Sequence, residues 1–179
     1  MLERLRLPFD AQTPGIDETA RTAESPTQLA CRLALLKARS VAAARPEAIV
    51  IGSDQVAEMD GLALGKPHGH QEALQQLLSM QGRSVVFHTA LAVVRTIDDR
   101  SSVECVDTLV RFRSLPRDAL EAYLRADRPY DCAGSAKIES LGICLVESVH
   151  SEDPTALIGL PLIRLTSMLA ALDVALPLA

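Results

Sequence analysis

Four charged side chains in this sequence stand beside a turn or the end of a secondary-structure element: Glu18, Lys37, Asp54 and Lys66. Two carboxylates and two ammonium groups are the inventory that phosphoanhydride hydrolysis requires. Carboxylates hold a divalent metal and orient a water, while cations absorb charge on the transferred and leaving groups. Mg²⁺ commonly takes one or two protein carboxylates and completes its shell with phosphate oxygens and water. Each residue alone also has a plainer reading. Asp54, in Gly52-Ser53-Asp54-Gln55, can equally be a turn aspartate capping local backbone. Lys66, in Gly65-Lys66-Pro67, is held more tightly than a surface lysine but lies outside any P-loop pattern, and Lys37 can be a lysine snorkelling at the core edge. Glu18, in Ile16-Asp17-Glu18-Thr19, reads alone as a solvated loop acid.

The elements that must position these groups follow from pattern. Ser25 is a plausible N-cap with Pro26 at the first helical position, and Leu29, Leu33 and Leu36 follow at helical spacing to about Ala44. Ala48 to Ile51 is a continuous apolar run that predicts a buried strand stopping at Gly52-Ser53-Asp54, which places polar groups just past a strand end. Asp60-Gly61 predicts a hairpin between Val56–Met59 and Leu62–Leu64. Gln71–Met80 reads as a helix closed by Gly82, and Ser84–Thr96 with Ser101–Arg113 as a long antiparallel pair. A helix over Arg117–Arg125, a strand near Ile143–Val149 and a last helix from Leu162 to about Leu172 complete a mixed α/β pattern.

Composition narrows the classes. Hydrophobic residues make 48% and charged residues 23% of 179 residues, the balance of a folded globular chain in one domain or two small lobes. Apolar runs such as Ala90–Val94 are too short to span a bilayer, no leader opens the sequence, and a cytoplasmic location is expected. A net charge of −5 without a basic stripe, and only three Phe and two Tyr, argue against nucleic-acid binding. Cys31, Cys105, Cys132 and Cys144 match no zinc-ligand spacing and read as small buried hydrophobes. His68 and His70 read as solvated loop histidines, His88 as a packed strand residue, and His150 carries no role.

Several ordered motifs together resemble the Maf-like family of nucleotide pyrophosphatases. They are Gly52-Ser53-Asp54-Gln55-Val56, Asp60-Gly61, Leu64-Gly65-Lys66-Pro67, Gly82-Arg83, Thr89, Tyr123, Ala133-Gly134 and Gly159-Leu160-Pro161-Leu162. The resemblance implies a two-lobed α/β fold of Maf/ITPase type over residues 1–179, with a central curved mixed sheet flanked by helices and a nucleotide cleft between lobes. It implies that Asp54 accepts a proton from the attacking water and, with Glu18, touches a divalent metal (Mg²⁺ or Mn²⁺), and that Lys37 and Lys66 face the triphosphate. It also implies a possible homodimer.

Family branches differ after the catalytic aspartate and just beyond the Ala-Gly loop. Thymidine- and uridine-triphosphate branches look like S-D-T with a later Gln, so by resemblance Gln55 and Glu139 look like the branch acting on 7-methyl-GTP. A carboxylate there suits the guanine N1–H and exocyclic amine. Without the resemblance Glu139 reads as a solvated loop acid. Family members open with a short strand and a Ser-rich, Arg-containing loop. This chain starts at Met1-Leu2-Glu3-Arg4-Leu5-Arg6-Leu7-Pro8-Phe9, so it is expected to be short by that strand and loop. The alternatives are a pyrophosphatase for another non-standard or pyrimidine nucleotide, and a non-catalytic nucleotide-binding regulator.

Overall fold

The computed structural model describes residues 1–177. Helix α1 (Pro26–Ala42) begins with a capping box. The Ser25 hydroxyl accepts from the Gln28 amide and Gln28 Oε1 accepts from the Ser25 amide, a cap worth about 1 kcal/mol. Strands β1 (Val50–Met59) and β2 (Leu62–Leu64) are joined by Asp60-Gly61, whose φ values of 55° and 79° are those of a primed hairpin turn. Then come α2 (His70–Met80), β3 (Ser84–Arg95), β4 (Arg100–Phe112), α3 (Arg117–Asp127), β5 (Val146–Ser151) and α4 (Leu162–Ala170). The strands form one sheet in the order β2-β1-β3-β4-β5.

Three expectations change in detail. The four strand pairings are all antiparallel, where a mixed sheet was expected. β1 does not stop at Gly52 but runs on to Met59, paired with β3 throughout Val50–Glu58. Its polar residues fall on both faces, Asp54 and Glu58 on one and Ser53 and Gln55 on the other, so no amphipathic alternation marked the continuation. Residues Leu141–Leu145 form a 3₁₀ turn, and the last strand starts only at Val146.

The sheet is covered on both faces. One face, carrying Val56, Ala90, Ala92 and Val94, packs under α1. The contact is made by small residues: Ala30, Ala34, Ala38 and Ala42 recur every fourth position and are at most 1% exposed. They allow the helix backbone to approach Gly52 so closely that a Cβ there would overlap the Ala34 carbonyl oxygen and lie 2.7 Å from the Ala38 nitrogen.

The other face divides in two. At one end Ala57, Val85, Phe87, Val110 and Phe112 pack against α2 and α3. At the other end Leu91 and Val93 pack against Leu162, Leu165 and Leu169 of α4. His70, expected as a solvated loop histidine, instead opens α2. Its Nδ1 lies 2.9 Å from the Tyr130 hydroxyl and its Nε2 2.9 Å from Glu121 Oε2 on α3.

Asp153, only 2% exposed, anchors α4. Its Oδ1 accepts from the amide and hydroxyl of Thr155, at 3.0 and 2.7 Å, and its Oδ2 from the amides of Ile163 and Arg164. Burial alone would raise this carboxyl, but the bonds from Thr155 and then from Arg164 and Ile163 hold it below 3.8. Its stabilising contribution is therefore complete above the unfolded value and lost as pH falls through the lower folded one. Asp153→Ala removes a helix cap and strands buried donors, so urea titration at pH 7 is expected to show a loss of about 3 kcal/mol. An unchanged midpoint would mean that water replaces the carboxylate without penalty.

Candidate active site at the contact of α1 with β1

Where α1 lies on β1, the four charged residues singled out by sequence converge. Lys37, on the fourth turn of α1, points its Nζ at Asp54 Oδ1 on β1, 2.6 Å away. The same Nζ lies 2.8 Å from Glu18 Oε1. The second oxygen of Glu18 faces the Lys66 ammonium at 3.4 Å. The result is a string of alternating charge, Lys66–Glu18–Lys37–Asp54, drawn from two loops, one helix and one strand.

Each position has a local cause. The alanine-to-glycine contact fixes the height of α1 above β1 and so brings Lys37 into register with Asp54. Lys66 is set by the loop after β2, where Pro67 is buried and the Gly65 carbonyl accepts from the Gln76 side chain on α2. Glu18 belongs to an exposed loop pinned by Arg32, which sequence reasoning passed over. Its Nη2 donates to the Thr19 carbonyl at 3.0 Å while its Nε donates to Glu24 at 2.6 Å. Arg32 lies on α1 eight residues after Glu24, so only the fold of the loop back onto the helix pairs them.

Electrostatics separate the two carboxylates. Burial pushes the Asp54 carboxyl up from 3.8, although Lys37 pulls against it. Glu18 moves the other way, below 4.5, chiefly through its hydrogen bond with Lys37. For Lys37, burial alone would favour the neutral amine, but the bonds to Asp54 and Glu18 outweigh it and its proton is held more firmly than usual. One carboxylate with raised proton affinity, a second that stays ionised and a fixed ammonium between them suit proton abstraction beside a charged leaving group. Both carboxylates reach a single ammonium, so the same oxygens can converge on a cation, and Asp54 with Glu18 meets the one-or-two-carboxylate demand of Mg²⁺.

Gln55 points to the opposite face of the sheet from Asp54. Its side-chain amide donates to Thr89 Oγ1 at 2.9 Å and to the carbonyls of Ala156 and Leu157 at 3.1 and 3.2 Å. Ser53 Oγ, also on that face, lies 2.8 Å from both the Ala90 and Gly159 carbonyls. Thr89 Oγ1, fully buried, donates to the Ala156 carbonyl. Ser53, Gln55 and Thr89 thus form a polar seam between the two apolar blocks of that face, and they stitch residues 156–159 onto the sheet. Thr89 and Gly159 had been noted only as family signposts, because hydrogen bonds to backbone carbonyls more than sixty residues away leave no local pattern.

Glu139 stands apart from the charged string, exposed on the 133–142 loop beside α3. That loop is built rather than slack. The Tyr123 hydroxyl donates to the Ser135 carbonyl and accepts from the Lys137 amide at 2.9 Å. Ser135 Oγ lies 2.6 Å from Gln76 Oε1, and the Lys137 carbonyl accepts from the Ser140 and Gly142 amides. Alongside Val50–Ser53 runs a cavity of about 860 Å³, walled by Leu7, Phe9, Ile49 and Leu169, with Lys37 at its rim. It is large enough for a small-molecule ligand.

Comparison with known proteins identifies the family. The family described as Maf-like protein matches residues 1–172. A 7-methyl-GTP pyrophosphatase of Albidiferax ferrireducens is 54% identical over 171 residues, covering 96% of this chain and 86% of the relative. Proteins of the same name from Burkholderia lata and Bordetella pertussis are 56% and 55% identical. They cover 97% and 94% of this chain, and 84% of each relative.

Proposed function

We infer, from the premise that this chain belongs to the Maf-like family, that it is a nucleoside triphosphate pyrophosphatase acting on 7-methyl-GTP. The products are 7-methyl-GMP and diphosphate, and the role is removal of a modified nucleotide. The observation that carries the reading is the Lys37 ammonium held at 2.6 Å from Asp54 and 2.8 Å from Glu18.

In this proposal Asp54 accepts the proton of a water directed at the α-phosphorus. Its raised proton affinity makes it a better acceptor than an exposed aspartate once it is ionised. Lys37 and Lys66 turn from their carboxylate partners to the phosphate oxygens and neutralise the departing diphosphate. A divalent cation, Mg²⁺ or Mn²⁺, held by Asp54 and Glu18, would supply further charge neutralisation along the triphosphate. Glu139 accepts from the N1–H and exocyclic amine of the guanine and favours the positive charge of the methylated ring. Gln55 shapes the base site by tethering Ala156 and Leu157. The absence of a helix long and apolar enough to cross a membrane among the described residues is compatible with work on a diffusing nucleotide.

The test is product identification on a panel of nucleoside triphosphates with Mg²⁺ or Mn²⁺. Diphosphate and a monophosphate from 7-methyl-GTP are expected, with a higher kcat/KM than for GTP, UTP or dTTP. Orthophosphate as the first product would refute the reaction. A Glu139→Gln variant is expected to lose about tenfold in preference for 7-methyl-GTP over GTP, the worth of one charge-assisted hydrogen bond. An unchanged ratio would remove Glu139 from base recognition.

The charge string also makes a titration prediction. In metal-free protein the Asp54 carboxyl followed by ¹³C NMR is expected to titrate above 3.8, and in Lys37→Met higher still, because the ammonium that favours its ionised form is gone. A downward displacement in the variant would contradict the contact.

A further inference from the structure

On the same sheet face as Asp54, but displaced along β1 toward Glu58, lies a second cluster that the proposed reaction does not use. His88 of β3 is only 5% exposed. Its Nδ1 lies 2.7 Å from Asp107 Oδ1 on β4 and 3.3 Å from Thr27 Oγ1 on α1, and its Nε2 lies 2.8 Å from Glu58 Oε2 on β1. Cys105, two residues before Asp107 on the same face of β4, turns its Sγ toward Asp107 Oδ1 at 4.0 Å. The ligand atoms of His88, Cys105 and Asp107 all fall within 4.8 Å of one another. Cys31, on α1, packs with Cys105 against the same apolar block. The cysteines expected as buried hydrophobes are in fact half-buried at positions 31, 105 and 132 and exposed at 144, and none is in a disulfide.

We propose that His88, Cys105 and Asp107 form a binding site for a soft divalent cation of the zinc class, distinct from the charged string at Asp54. A nitrogen, a sulfur and an oxygen arriving from two strands make a three-donor set, which leaves one position of a tetrahedral Zn²⁺ for water. Thiolates select zinc-class ions over Mg²⁺, which prefers an all-oxygen octahedron, so this site and the Asp54–Glu18 pair sort different metals.

The arrangement around His88 is what such a site needs. With Nδ1 on the metal, Nε2–H donates to Glu58, and this carboxylate–histidine pair fixes the ring orientation and raises the basicity of the ligating nitrogen. A route in from solvent exists. A depression of about 460 Å³ reaches Cys105 and Asp107 and is bounded by His150, Ser151 and Glu152 of β5 and the residue after it. Binding is a proton exchange. The hydrated cation sheds waters as the three donors bind, the Cys105 thiol proton passes to solvent, the neutral imidazole carries its one proton on Nε2, and no electron moves. Cys105 is in register with Ala90 and Ala90 with Asp54, so two strand spacings of about 4.8 Å put roughly 10 Å between the Cα atoms of Cys105 and Asp54.

Cobalt reports on this directly, since Co²⁺ bound tetrahedrally with thiolates absorbs intensely in the visible and shows thiolate charge transfer in the near ultraviolet, while an all-oxygen site shows neither. Reduced full-length protein titrated with Co²⁺ is expected to develop both features and to lose them when Zn²⁺ is added. Cys105→Ser is expected to remove the charge-transfer band, with circular dichroism showing that it remains folded. Glu58→Gln is expected to weaken Zn²⁺ by about tenfold or more while leaving the band shape unchanged. Asp54→Asn is expected to leave the spectrum as it was. Folded, reduced wild-type protein that gives no thiolate–cobalt absorption overturns the site. So does a Cys105→Ser spectrum identical to that of wild type.

Discussion

Asp54→Asn is expected to lower kcat by about 10²–10⁴, the usual worth of a positioned general base. The amide keeps the size of the carboxylate, and its oxygen can still accept from Lys37, so the local geometry should persist. Burial disfavours the ionised form of Asp54, so removing its charge is not expected to lower the melting temperature. A catalytic loss without a stability loss separates chemistry from folding. Binding of a non-hydrolysable 7-methyl-GTP analogue by calorimetry should change by no more than a few-fold. A variant that keeps wild-type kcat would exclude Asp54 as the proton acceptor, whatever its effect on affinity.

Gly52→Ala is expected to cost about 3 kcal/mol in urea titration, the upper end for overpacking. The added carbon meets backbone atoms of Ala34 and Ala38, not the tip of a side chain that could swing away. Relief requires α1 to lift off β1. That movement carries Lys37 away from Asp54, so the triphosphate KM should rise together with the loss of stability. Gly65→Ala is the natural control, since a Cβ there meets nothing within 4 Å. Equal stabilities of the two variants would show that the helix–strand contact is not the constraint described here.

How much of this was legible beforehand depended on whether a signal was local. The Ser25-Pro26 start of α1, the Asp60-Gly61 hairpin and the β3–β4 pair could be read because caps, turns and apolar runs are short-range patterns. Glu18, Lys37, Asp54 and Lys66 were nominated one by one, and the structure brings them together. Gln55 and Glu139 were nominated with them, yet the fold sends Gln55 to the other face of the sheet and Glu139 to a separate loop. Strand alternation would have separated Asp54 from Gln55 had β1 been recognised as continuing, but a glycine and three polar residues in a row mimic a strand end. The caps and braces that depend on distant partners were invisible: Asp153 on α4, Arg32 on the Glu18 loop, and His70 between Tyr130 and Glu121.

The alanine row of α1 carries one more implication. A methyl group has no rotamers to surrender, so seating it against the sheet freezes no torsional freedom, whereas long aliphatic side chains in the same place would each forfeit about 0.5–1 kcal/mol of entropy. The spacing of the two backbones that carry Lys37 and Asp54 is therefore set by their own hard shape. It cannot drift as side chains reshuffle, and warming the protein short of unfolding should leave it where it is.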